Sequence, residues 1–421
     1  MNTSYKNSKA AADPIKIAFI RSSAIGDVVI SAVCIPYLLN LKKSFGACFE
    51  VYWIGTPLSM ALLPDIDLPV TKVDIRSPED IEQKIDQLDL VVDFQRNLRS
   101  SKLLGKLRQR YGCNVQKIPK YRTGRFFLVL KAHLKSMFQG RNTSAAATKK
   151  HQNHPFHIYK ECLKTLRNGL FDLEPLKNHG ASPPELDLEN AAWWAPLLSR
   201  VEAPREIRLA VGPGASYPTK KAPTDVVADI LQKIKTSIDG RFELELVLVG
   251  DKNDSSASSQ LLEKINWPWK TLDLCGKTNL NELAKVLESC SAALCNDSSI
   301  SHISESVGTD VAVLFGPTSQ DFGFSPRRPS SASFSLDLNC RPCSKHGKKS
   351  CRYQDQLCFQ KIDTSAVAKF IVSILSSSFS ASTGSSFNSG SLNGLRTSEE
   401  DGPRSDDDLK VNLNNSSDPR N

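Results

Sequence analysis

No stretch of the 421-residue chain approaches the ~20 apolar residues that span a bilayer, and the first fourteen residues lack the apolar segment of a secretory signal. These two absences lead to the expectation of a cytoplasmic protein. Self-similarity at periods of about 20–50 residues is missing too, which sets aside solenoids and propellers. Glycine and proline number only 22 and 23, and the chain is 40% apolar and 24% charged. That balance excludes collagen-like, coiled-coil and wholly disordered classes, and the length allows two or three domains at about 100–200 residues each. Neither GxxxxGK followed by Ser or Thr nor a GxGxxG turn after a strand occurs, so kinase, NTPase and ordinary dehydrogenase readings lose ground.

Acidic residues are missing from one long stretch. Between Arg96 and Lys150 there are fifteen Lys and Arg and no Asp or Glu. On a chain of formal charge +9, a block so one-sided points to an anionic partner, with a solvated basic face as the plain alternative. Nucleic acid is the weaker partner. The block has few aromatics (Tyr111, Tyr121, Phe126, Phe127 and Phe138), and no nucleic-acid module encloses them. The eleven cysteines are an odd number, and most (Cys34, Cys48, Cys113, Cys162, Cys275, Cys290, Cys295) are scattered through apolar segments, as free thiols of a reducing compartment are.

What is present is an alternation. An apolar strand at residues 16–20 runs into the small-residue turn Arg21-Ser22-Ser23-Ala24-Ile25-Gly26-Asp27, then into a helical pattern from Val28 to about Lys43. Strands follow at residues 49–54, after Val70 and at 88–94, which predicts a parallel sheet with helices on both faces. Residues 145–154 read as a loop. The Pro-rich stretch around Trp193-Trp194 reads as a linker, and a second series of strands begins at 207–211 and continues at 244–249, 271–274, 292–295 and 311–315. After Ile374 the composition turns Ser-rich and then acidic, too polar to offset its ordering entropy. The expected fold is α/β, in two consecutive Rossmann-like, doubly wound halves of similar size. The divisions are a disordered 1–14, a first domain 15–180, a linker 181–205, a second domain 206–375 and a disordered tail 376–421.

Chemistry concentrates at the carboxyl ends of these strands, where open α/β sheets bind ligands. In the second half, Asn296-Asp297-Ser298-Ser299-Ile300-Ser301-His302 follows a strand and opens a helix, an arrangement that presents free backbone N–H groups and a positive dipole end to an anion. An ordinary N-cap at Asp297 or Ser298 is the plainer reading. The loop Gly212–Lys221 adds two glycines, the Ser216 hydroxyl and the Lys220 ammonium, so the two loops together suit a nucleotide diphosphate.

Six motifs in order carry a family resemblance. They are Arg21 to Val28, Asp93-Phe94-Gln95 with Arg99-Ser100, Gly214-Ala215-Ser216 with Lys220 to Pro223, Gly276-Lys277-Thr278, Asn296-Asp297-Ser298 with His302, and Leu314 to Thr318. Over residues 15–374 the chain resembles glycosyltransferase family 9, the ADP-heptose:lipopolysaccharide heptosyltransferases. The resemblance implies a B-type glycosyltransferase, two Rossmann-like doubly wound domains facing across a cleft, that moves heptose from ADP-heptose to the acidic inner core of lipopolysaccharide, inverting and without a metal. A transferase of the same fold using another nucleotide sugar or acceptor glycan is the alternative. It implies Asp27 as general base, with capping of the next helix as the plain alternative. Ser216, Lys220, Asp297, Ser298, Ser299 and His302 become donor-binding residues, and Arg21, Gln95 and Arg99 acceptor-binding ones. The implied partners are a nucleotide sugar, a lipid-linked acidic acceptor and the cytoplasmic face of an anionic inner membrane, with no nucleic acid and no catalytic cofactor. Three positions depart from the pattern: Arg96 and Ser299 stand where Gly is usual, and Ala222 where Trp is common. Cys340 and Cys343, followed by Cys351 and Cys358, have a spacing open to a structural zinc or to reduced thiols or a labile disulfide.

Overall fold

The structure is a computed structural model that describes residues 13–63, 67–142, 147–152, 157–173, 176 and 206–383. The expected linker 181–205, with Trp193-Trp194, and most of the expected tail lie outside the described residues.

Strand β1 (Ile15–Ile20) has β-branched and aromatic side chains buried on both faces, as a central strand of a parallel sheet requires. It pairs in parallel with β2 (Phe49–Gly55) and with β4 (Leu90–Asp93). With β3 (Val70–Asp74) and β5 (Asn114–Lys117) the sheet order is β3-β2-β1-β4-β5. The crossovers are α1 (Ile25–Ser31), α2 (Cys34–Phe45), α3 (Pro78–Lys84) and α4 (Leu98–Tyr111). The single helix expected over 28–43 is two, separated at Ala32-Val33. After β5 come α5 (Arg122–Phe138), β6 (Thr148–His151) and α6 (Ile158–Phe171).

The second sheet holds β7 (Arg208–Gly212), β8 (Glu245–Leu248), β9 (Thr271–Asp273), β10 (Ala292–Asn296), β11 (Asp310–Phe315) and β12 (Ala332–Leu336), in the order β6-β12-β11-β10-β7-β8-β9. Its helices are α7 (Thr224–Ile238), α8 (Ser255–Lys264), α9 (Leu280–Glu288), α10 (Ser299–Ser306), α11 (Leu357–Gln360) and α12 (Thr364–Thr383). Both sheets reverse strand order at their first strand, between β1 and β4 and between β7 and β10, and such a switch point opens a ligand crevice at the strands' carboxyl ends. One apolar cluster is continuous between the two sheets, joining Val28, Val29 and Tyr159 to Leu287, Ile300 and Phe315.

Two expectations need correction. Residues 148–151, read as loop, form an antiparallel edge strand on β12, with Lys150 opposite Phe334. No apolar alternation marked it, because a lysine-bearing edge strand has little to bury. The second sheet is therefore completed by a strand from the first half of the chain, and the boundary at 180 does not separate the sheets. The tail expected from 376 begins inside α12, whose last turns bury Leu375 and Ser376 and stack Phe379 on Phe242 at 5.0 Å. A third point concerns length and apolarity. Residues Ile25–Phe45 and Thr364–Ser382 are long and apolar enough to cross a membrane. The first is packed in the core, and the second packs Val367, Ile371 and Leu375 inward in the same cluster as α7.

Candidate active site

The turn after β1 brings Asp27 into the first turn of α1, not into a loop. Ala24 is the N-cap and has no side-chain cap bond, so capping does not explain Asp27. Its carboxylate, about a third exposed, is gripped by the Arg21 guanidinium, which also donates to the Phe94 carbonyl. Arg21, expected to face an acceptor, is thus the partner of Asp27. The Gln95 carbonyl accepts from the Ser22 and Ser23 amides at 3.0 and 3.2 Å, and its amide reaches the Ser23 hydroxyl. Gln95 fixes the turn that carries Asp27. The Asp93 carboxylate does the same for the next turn, taking the amides of Gln95 and Arg96 and the Ser100 hydroxyl. Arg96 adopts φ +48°, the left-handed region that explains why glycine is usual there. Arg99 is not gathered in: it is exposed and lines a groove between α3 and α4 with Leu98 and Lys102.

In the second half, the loop after β7 and the end of β10 meet. Asn296 ties them, its carbonyl accepting from Ala222 N–H at 3.1 Å and its amide donating to the carbonyls of Pro213 and Gly214 at 2.8 and 3.2 Å. Gly214 presses on Asp254, which would collide with any Cβ there, and Asp254 pairs with Lys221 at 2.7 Å. This places Lys220 Nζ 2.9 Å from Asp297 Oδ2, with both side chains largely buried, and the Thr318 hydroxyl donates to the same oxygen at 2.7 Å. Asp297 is therefore a lysine partner and not a cap. Ser298 precedes α10 in N-cap position without a cap bond, and its hydroxyl is buried with no partner among the described residues. Ser216 is exposed at the loop's outer edge.

The two halves touch through α1 and α10. A Cβ on Gly26 would lie 2.9 Å from His302 Cδ2 and 3.4 Å from Ser299 Cα. Ser299 opens α10 with ordinary helical backbone, so the glycine needed at this contact is Gly26. His302 is buried, shares a hydrogen bond with the Tyr159 hydroxyl at 3.2 Å, and is pushed down to about 4 by burial, against the pull of Asp297 and Asp27 and with Lys220 adding to the lowering. Motifs at 21–27, 220, 297 and 302 thus form one electrostatic cluster.

Two side chains that sequence reasoning missed complete it. Arg125, on α5, stacks its guanidinium 4.9 Å from the Phe324 ring, donates to Phe322 O at 2.9 Å and senses the Asp27 charge. His346 has its ring pKa lowered by burial and by the neighbouring cations Arg125 and Lys220. The segment carrying it is pinned to the Lys220 loop, since Lys348 and Thr219 exchange hydrogen bonds at 2.7 and 2.9 Å. The only signal for Arg125 was its place in the acid-free run.

Cys340, Cys343, Cys351 and Cys358 line one cavity of about 150 Å³. Yet among the described residues no three His, Cys, Asp or Glu side chains are placed to hold one ion. Burial instead raises the Cys340, Cys343 and Cys358 thiols, the last to about 12, which favours the uncharged form.

Residues 181–354 match the profile of the family described as glycosyltransferase family 9 (heptosyltransferase). Over this segment, about two-fifths of its length, the chain is similar to that family. Over 113 residues the chain is 28% identical to lipopolysaccharide heptosyltransferase 2 of Escherichia coli K12, a match covering 26% of this chain and 31% of that protein. The matched segment thus spans about a third of the curated relative's length. Two solved structures share the fold at 16% identity. They are E. coli ADP-heptose lps heptosyltransferase II (TM-score 0.51, covering 86% of this chain and 99% of that one) and E. coli heptosyltransferase WaaC with ADP (TM-score 0.53, 86% and 100%). They bear out the α/β, B-type architecture. The matched segment contains Ser216, Lys220, Asp297, Ser298, Ser299 and His302, while Asp27, Arg21 and Gln95 lie outside it.

Proposed function

We propose that the protein is a glycosyltransferase that moves a heptose from ADP-heptose to a lipid-linked, acidic acceptor, the inner core of lipopolysaccharide. The observation that carries this reading is the Lys220–Asp297–Thr318 cluster at the switch point of the second sheet, set across from the Arg21-held Asp27. A largely buried ammonium at the carboxyl end of β7 and β10 suits the diphosphate of a nucleotide sugar. It takes up the charge that grows on the leaving group as the glycosidic bond breaks. The orphan Ser298 hydroxyl and the α10 N-terminus supply further donors. The solved relative with ADP supports an adenine nucleotide.

Asp27 acts as the general base in this reading. Its carboxylate takes the proton of the acceptor hydroxyl while the hydroxyl oxygen bonds to the anomeric carbon and the diphosphate departs from the opposite face, a single displacement that inverts configuration. Lys220 supplies the charge that a divalent ion would otherwise provide, so the reaction is metal-independent. The eleven unpaired thiols support a reducing, cytoplasmic setting, and the lipid-linked acceptor places the enzyme peripherally at the inner membrane.

The test is a donor screen. Purified protein is incubated with ADP-heptose, ADP-glucose and UDP-sugars together with core acceptors, and release of nucleoside diphosphate is followed with and without a chelator. ADP release that needs both ADP-heptose and acceptor and persists with chelator is expected. Turnover of a UDP-sugar alone would move the protein to another donor class, and inhibition by chelator would end the metal-independent reading.

A further inference from the structure

Helix α5 has a face that nothing covers among the described residues. Its inner side is tied down by Arg125, by the buried Ala132 and by the buried Ser136. On the outer side Phe127, Leu130, Leu134 and Phe138 recur at three-, four- and four-residue steps, which aligns them along one stripe. They are 62%, 36%, 43% and 83% exposed, and Met137 beside them is 57% exposed. An aqueous surface seldom leaves so many large apolar side chains together without an occupant. Lys131 and Lys135 stand within the same stripe, lining one depression with Phe127, Leu130, Leu134 and Phe138. No acidic residue occurs on the helix or anywhere from Arg96 to Lys150.

We propose that this face of α5 lies on an anionic lipid bilayer, with the aromatic and aliphatic side chains in the headgroup boundary and Lys131 and Lys135 against the lipid phosphates. An apolar stripe accompanied by lysines and free of carboxylates is the pattern of an interfacial helix. The charge pattern also decides against a second copy of the chain. A two-fold contact through this stripe would set Lys131 and Lys135 of one protomer against those of its partner, with no carboxylate on α5 to neutralise them. The proposal rests on the transferase reading for its purpose: α5 carries Arg125, which senses the Asp27 charge, so a helix lying on the bilayer brings the membrane surface toward the base that a lipid-linked acceptor must reach.

The full-length protein is floated with phosphatidylcholine vesicles and with vesicles containing phosphatidylglycerol, at low and high salt, without donor or acceptor. Flotation with the anionic vesicles only, weakened by salt, is expected. Phe127→Ser/Leu134→Ser and, separately, Lys131→Gln/Lys135→Gln should each lower the partition about tenfold. Because these side chains are exposed, melting temperature should not move, and the lysine pair keeps the test valid should the apolar pair misfold. Wild-type protein that stays with neither vesicle, or variants that float as well as wild type, would overturn the proposal. So would variants whose one change is loss of a dimer in sedimentation velocity, which would make the face a contact between copies. Failure of the donor screen with flotation intact would remove the transferase and leave the membrane face.

Discussion

In the proposed reaction Asp27 and Lys220 carry the chemistry at the scale of single residues, and each is held by one named partner. Because Ala24 caps α1 and Asp27 pairs with Arg21, Asp27→Asn should leave the helix and the donor site intact. Transfer rate is expected to fall about 10²–10⁴-fold with donor affinity and melting temperature nearly unchanged, and near-wild-type turnover would remove Asp27 as base. Lys220 differs, because Asp297 depends on it. Lys220→Met leaves a largely buried carboxylate with only the Thr318 hydroxyl, so both stability and donor use should fall, stability by about 1–3 kcal/mol. Adding Asp297→Asn should restore much of the melting temperature while donor binding stays lost. A double variant that regains donor affinity would show that the pair is structural only. These residues were legible because their types and spacing are chemical. That Arg21 serves Asp27, and Gln95 the turn, was not, since either could have pointed at a ligand.

At the scale of elements, α12 is where composition misled. Its last turns are Ser-rich, and Ser is a middling helix former, but Phe379 gives them an apolar anchor on Phe242. Ending the chain after Ser378 removes that anchor and should lower stability by about 1–2 kcal/mol. Phe379→Ala in the full chain should reproduce the loss, and a thermal melt in which both match wild type would return this turn to the tail. The edge strand β6 escaped notice for the opposite reason. Thr148–His151 has no apolar face to bury, so its pairing with β12 exists only once the sheet offers an edge.

For the whole molecule the seam between the halves matters most, and His302 sits in it between Gly26 and Tyr159, near Asp27, Asp297 and Lys220. Its folded pKa of about 4 lies below the ordinary 6.5, so between those values the unfolded chain binds the extra proton. Stability from this group is complete above pH 6.5 and is lost as pH falls toward 4, by about 3 kcal/mol in all. Melting temperatures of wild type and His302→Gln, measured from pH 7 to pH 4, should converge as acid is approached, the variant being less stable at pH 7 but flatter. Parallel curves would show that His302 does not titrate in the seam.

The sequence alone determined the two runs of alternating strand and helix, because buried parallel strands must be apolar and the turns at their carboxyl ends must be small or polar. It also determined which motifs bear charge suited to a diphosphate and to a proton acceptor. Only the tertiary structure decided that Arg125, from a helix with no motif, joins Asp27, that His346 is pinned over the Lys220 loop, and that four cysteines line one cavity. It alone decided that an amphipathic helix keeps its apolar face outward. Periodicity fixes which side chains share a face, but what that face meets depends on neighbours hundreds of residues away along the chain.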